Sequence, residues 1–285
     1  MSITTSSVLV EMNISVWTAN KLDKSATEKV TTDNLAVQNA AQVRKNLMAG
    51  TTLRKGIADY AAGCRLWHNT QTLPWADRGA RLLPTSLFMD YKQEVAMRNR
   101  TFDQMVNEFC NNYPALVQTA HNYLGGLFNN DDYPSVDTVR QKFGFNLVFS
   151  PVPESGDFRL QVAEKDLSDL RQQYEDSFNS RLGDAMREPW DRLHKTLTAI
   201  SEKLTEVEGD DNVKRRYHDT LLTNAQSLCG MLTHLNITKD PKLEEARRQL
   251  ELTMLGTDID DIKESAGVRL DLKNKVDAIL KQFEW

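Results

Sequence analysis

The sequence predicts a mainly α protein, in which a helical lobe carries a small three-stranded β-sheet and leads into long antiparallel helices. Three observations predict it. Val8, Val10, Met12, Ile14 and Val16 alternate with Ser7, Leu9, Glu11, Asn13 and Ser15, the period of two of a half-buried strand. Phe145–Val152 and Asp157–Ala163 flank Pro153-Glu154-Ser155-Gly156, a loop suited to a hairpin that the first strand can join. Trp190, Leu193, Leu197, Ile200, Leu204 and Val207 then recur every three or four residues, as in the seam of packed helices.

The elements follow in order. Leu22–Met48 is rich in Ala, Gln, Lys and Asn, with apolar points at Val30, Leu35, Val37, Val43 and Leu47, and reads as helix; Leu53–Trp67 is the next. The segment Asn69–Ser86 holds Leu73-Pro74 and Leu83-Pro84, and each leucine is driven to extended backbone by the proline after it. Asp77-Arg78-Gly79 turns between them, so the segment is a connector that clamps two helices, with Trp75, Leu82 and Leu83 as its apolar area. Ser86 can cap a helix to about Asn112, Pro114 can open another to about Phe128, and a short helix from Val136 to Phe143 begins behind Pro134-Ser135.

From Lys165 the chain reads as long helices, with a kink or break expected at Pro189 and a turn at Glu208-Gly209-Asp210-Asp211. Helices follow over Asn212–Leu235, Pro241–Leu255 and Asp258–Phe283, with starts at Asp240-Pro241 and Thr257-Asp258. The division expected is residues 1–163, a mixed α lobe with the small sheet, and residues 164–285, an acidic long-helix region, forming one continuous elongated unit. Burial of the helical seam within the chain and self-association through it fit the pattern equally.

Composition is that of a globular domain: 40% hydrophobic and 26% charged residues, with no run of the roughly 18 apolar residues that a spanning helix needs. The opening MSITTSSVLVEMNISVW lacks the features of a signal peptide, and Cys64, Cys110 and Cys229 are odd in number and widely spaced. Both point to a reducing cytoplasm. The net charge of −5 is uneven, about +1 through Ala163 and −6 beyond it. Neither part carries the basic excess that a phosphate backbone requires.

Reactive centres are not legible. There is no phosphate-binding loop, no nucleophile elbow and no credible triad, so no catalytic residue, cofactor or metal is assigned, and the reading leans away from an enzyme. Cys64 and His68 share a helix face but lack the further ligands of a zinc site. Asn129–Asp132 and Asp258–Asp261 lack the pattern of a calcium loop, and the latter reads as a helix start. The candidate basic patch is Arg44, Lys45, Arg54 and Lys55, flanking a turn near Gly50. The candidate partner-docking residues are Trp75, Asp77, Arg78 and Arg81 in the connector.

Seven segments, MNISVWTANKLDK, RKNLMAG, TLPWADRGARLLP, NNYPALV, LGGLFNNDDYPSVDTVRQKFGF, SPVPESGDFRLQV and LTHLNITKDPKLEE, together resemble a family of unknown function carried by tailed phages and prophages. The resemblance runs from Met12 to about Glu245. In that family the gene often lies near a MoxR-like or CobS-like AAA+ ATPase and a CobT-like protein with a von Willebrand factor A domain. The resemblance therefore implies a non-enzymatic accessory protein in the host cytoplasm, an adaptor or structural partner of that ATPase module. The alternatives are a nucleic-acid-binding protein acting during infection and a stoichiometric inhibitor of a host enzyme.

Overall fold

The structure is a computed structural model and describes residues 3–76, 79–153, 164–205, 217–283 and 285. It is mainly helical with a small antiparallel sheet. A single turn, α1 (Ile3–Ser6), precedes β1 (Ser7–Ser15), the strand that the alternation predicts. The predicted helix over 22–48 does not form as one piece. It divides into β2 (Asn20–Leu22), α2 (Lys24–Asp33) and β3 (Arg44–Asn46), and β2 pairs antiparallel with β3 from Asn20 opposite Asn46 to Leu22 opposite Arg44. Asp23 fixes the division. Its carboxylate accepts from the Ala26 amide at 2.9 Å, starting a helix one residue after a strand ends. Gly50, at φ 81°, then turns the chain where an added Cβ would lie 2.5 Å from the Tyr123 ring.

Helix α3 (Leu53–Gln71) runs into the proline-rich connector, where expectation and structure part. Its two Leu-Pro pairs are extended, as the prolines require, but they are also paired: β4 (Leu73–Pro74) lies antiparallel to β5 (Arg81–Pro84), with Leu73 opposite Leu82. On its other side β5 pairs with β1, Ser7 opposite Pro84 and Val10 opposite Arg81. With β6 (Gly144–Pro151), the strand order is β4-β5-β1-β6, so the sheet has four strands in place of the expected three, and β2-β3 adds a separate pair. Pro74 stands on the edge strand, where a missing amide costs no ladder bond. The expected second hairpin strand, 157–163, lies outside the described residues.

The remaining helices are α4 (Phe88–Leu124), α5 (Val136–Arg140), α6 (Glu164–Leu204), α7 (Thr220–Leu235), α8 (Pro241–Met254), α9 (Ile259–Glu264) and α10 (Ala266–Gln282). Pro114 and Pro189 do not end helices; each sits inside one, α4 and α6. In α4 the buried residues Phe109, Cys110 and Tyr113 before the proline and Ala120 after it hold the helical path across the lost hydrogen bond. Ser86 does not cap α4, since Thr85–Leu87 forms a 3₁₀ turn and the Ser86 hydroxyl meets His234 Nδ1 at 3.0 Å. Asp240 and Asp258 do cap, accepting from the amides of Lys242 and Asp260, both at 2.9 Å. The stretch 258–283 is two helices because Ser265 ends α9 and caps α10.

The chain forms two compact units, each discontinuous in sequence, and the division does not fall at residue 163. One unit comprises residues 1–11, 70–89 and 149–285; the other comprises 12–69 and 90–148. In the first, Leu193, Leu197, Ile200 and Leu204 of the seam are buried with Cys229 and Leu232 of α7, Leu243 and Leu250 of α8, and Leu272, Val276 and Ile279 of α10. The seam is thus spent inside this unit. A second cluster of the same unit joins Leu9, Leu73, Trp75, Leu82, Val152, Ala185 and Leu235. The other unit has its own core, in which Trp17 meets Phe109 and Tyr113 edge-on at 6.3 and 6.0 Å over Ile57, Ala61 and Cys64 of α3.

Candidate functional site

The connector residues nominated for docking are structural where they are described. Trp75 is buried and meets Phe178 edge-on at 5.2 Å, as part of the core that holds β4 and β5 to α6. Arg81 donates through Nε to the Thr72 hydroxyl at 2.7 Å and through Nη2 to the Thr72 carbonyl at 3.1 Å, tying the two strands of the hairpin. Asp77 and Arg78 lie outside the described residues.

What the connector does build is one wall of a groove. Arg192 of α6 reaches the Thr70 carbonyl through Nη1 at 2.8 Å and the Thr72 carbonyl through Nη2 at 3.0 Å, while its Nε meets Glu188 Oε1 at 3.0 Å. A guanidinium suits this task because its planar fork can bond several acceptors at once. The groove beside it measures about 450 Å³ and runs between α6 and α7. Lys195 and Thr196 line it from α6; Asn224, Ser227, Leu228 and Met231 line it from α7, at helical spacings that keep them on one face. Leu228 also packs on the unit's core, so the groove has an apolar floor and a polar rim. A signal for it was present in the sequence: Thr220–Leu235 contains no Asp, Glu, Lys or Arg, unusual for a helix in so charged a region.

The proposed basic patch is not a set of four free cations. Lys45 is buried, and its ammonium meets Asp132 Oδ2 at 2.5 Å, Asp23 Oδ2 at 3.2 Å and the Leu127 carbonyl at 2.9 Å. Lys21 adds a bond to Asp132 at 2.7 Å. The hydrogen bond to Asp132 outweighs burial and raises Lys45 above the ordinary lysine range. Burial works to raise the Asp132 carboxyl, yet the bonds from Lys21 and Lys45 hold it below the usual carboxylate range. Asp23 is lowered too, first by the Ala26 amide and then by Lys45. Lys55 is exposed and paired with Asp59, Arg44 is exposed, and Arg54 is half-buried. The sequence hid this arrangement because Asp23, Lys45 and Asp132 come together only through the β2-β3 pairing and the 3₁₀ turn Asn130–Asp132.

Cys64 and His68 are both buried on α3, but the His68 ring is engaged: Nδ1 lies 2.7 Å from the Tyr91 hydroxyl, and Tyr91 stacks on Trp67 at 4.9 Å. Among the described residues no group of three or more His, Cys, Asp or Glu side chains is placed to hold a metal ion. No described helix is long and apolar enough to cross a membrane. A mainly helical two-unit chain, with a groove of mixed character on its long helices, is the class that fold and site define. Comparison with protein-family models, curated proteins and solved structures gives no match.

Proposed function

We propose that the protein is a non-enzymatic phage accessory protein, acting in the host cytoplasm as an adaptor or structural partner of an AAA+ ATPase and von Willebrand factor A module. The resemblance of its segments to the phage family supplies the setting. The observation that carries the adaptor reading is the groove between α6 and α7, with its apolar floor of Leu228 and Met231 and its rim of Lys195, Thr196, Asn224 and Ser227. An apolar floor with a few placed polar groups is how binding sites combine affinity with orientation. The wall of the groove is stiff, because Arg192 is anchored at three acceptors and arrives ordered, which lowers the entropic cost of binding. The nucleic-acid alternative loses support, since Lys45 is committed to two carboxylates.

The test is co-purification of the tagged full chain with the ATPase and the von Willebrand protein, with and without nucleotide. Retention of either neighbour at micromolar concentration is the expected result; loss of both under both conditions removes the reading.

A further inference from the structure

We propose that the groove between α6 and α7 binds an acidic peptide segment of a partner protein, with the partner's carboxylate on Lys195 and a neighbouring leucine-type side chain on Leu228 and Met231. The inference rests on the adaptor reading and gives that site its ligand chemistry.

Charge complementarity selects the acid. Of the two cations lining the groove, Arg192 is neutralised by Glu188 and bonded to two carbonyls, so it serves as wall. Lys195 is exposed and has no ion-pair partner among the described residues. The facing helix α7 brings no Asp, Glu, Lys or Arg, so the unspent charge in the groove is positive. Thr196, Asn224 and Ser227 add hydroxyl and amide donors, which a carboxylate can accept together with the ammonium.

The floor selects the second half of the ligand. Leu228 is half-buried and packed on the core, and Met231, unbranched and polarizable, adapts to the shape of an apolar side chain. A simple anion such as phosphate leaves that floor uncovered, and an apolar peptide leaves Lys195 unmatched. A volume of about 450 Å³ lies in the range of formed ligand sites and accommodates a few residues.

The test is fluorescence anisotropy on the full chain with a labelled peptide whose core is Leu-Glu-Glu-Leu between Gly-Ser flanks. Saturable binding that weakens with rising salt is expected, because an exposed ion pair is screened. Lys195→Glu is expected to weaken binding about tenfold or more, while Lys195→Arg retains it. Ser227→Trp, which fills the groove from an exposed position, is expected to abolish it. Unchanged circular dichroism and melting establish that these surface variants fold. Absence of binding, equal binding by Lys195→Glu, equal binding of a Leu-Lys-Lys-Leu peptide, or full displacement by a short oligodeoxynucleotide overturns the proposal. Failure here with the ATPase module still retained removes the groove chemistry and leaves the adaptor. Lys195-dependent peptide binding without retention of the module does the reverse.

Discussion

Leu35 shows what one side chain can cost. It closes α2 at φ 51°, with its own amide bonded to the Thr32 carbonyl at 3.1 Å and the Ala36 amide to the Thr31 carbonyl at 2.8 Å. This is the helix ending that glycine ordinarily fills, yet here a leucine occupies it with 96% of its surface exposed. Leu35→Gly is therefore expected to stabilise the protein by about 0.5–1 kcal/mol in urea unfolding, as relief of left-handed strain exceeds the added chain entropy. Lys45 makes the opposite case. Lys45→Met leaves Asp23 without its cation and Asp132 with Lys21 alone, and is expected to cost about 3 kcal/mol. The pH dependence follows from the directions of shift. Asp23 and Asp132 are lowered, so their contribution is complete above the unfolded carboxylate range, near pH 4, and is lost as pH falls through their folded values. Lys45 is raised, so its contribution is complete below about pH 10 and is lost as pH rises through its folded value. Urea midpoints measured across this range should show a plateau between the two limits, and Lys45→Met should flatten the acid limb.

Among the elements, Asp240 joins two helices. It caps α8 through the Lys242 amide and accepts from Trp190 Nε1 of α6 at 3.2 Å. Asp240→Ala is expected to cost about 2 kcal/mol, from a lost cap and a lost bond, and to shift the fluorescence of Trp190. That cap was legible in the sequence because capping is local: an acid, a proline and an apolar periodicity suffice. β4 and β5 were not legible as strands because Leu82 and Leu83 are both fully buried, so the period of two that marks a half-exposed strand is absent. For Leu22–Met48, composition favoured helix, and Lys45, which pairs with Asp23, makes its decisive contact with Asp132, more than eighty residues away. Tertiary contacts overrode propensity there. The groove was half legible. The charge-free face of α7 stood in the sequence, but its opposition to Arg192 and Lys195 depended on which helices pack together.

For the whole molecule, the buried seam decides how it responds to damage. Leu197 has no exposed surface and packs within its own unit, so Leu197→Ala is expected to cost about 3 kcal/mol. Because the contact is internal to one chain, that loss should not vary with protein concentration, as it would if the seam joined two copies. The same unit gathers Leu9 and Leu73 with Ala185 and Leu235, so a cut at residue 163 would strip apolar area from both fragments instead of releasing two domains. Synthesis meets the same constraint in time. The stretch 12–148 holds every residue of the other unit and can complete its core once it emerges, while Leu9 must wait for partners beyond residue 180. At about 5–20 residues per second, β1 waits on the order of ten seconds or more after its own synthesis for its last neighbours, which gives a chaperone a long opportunity to hold it.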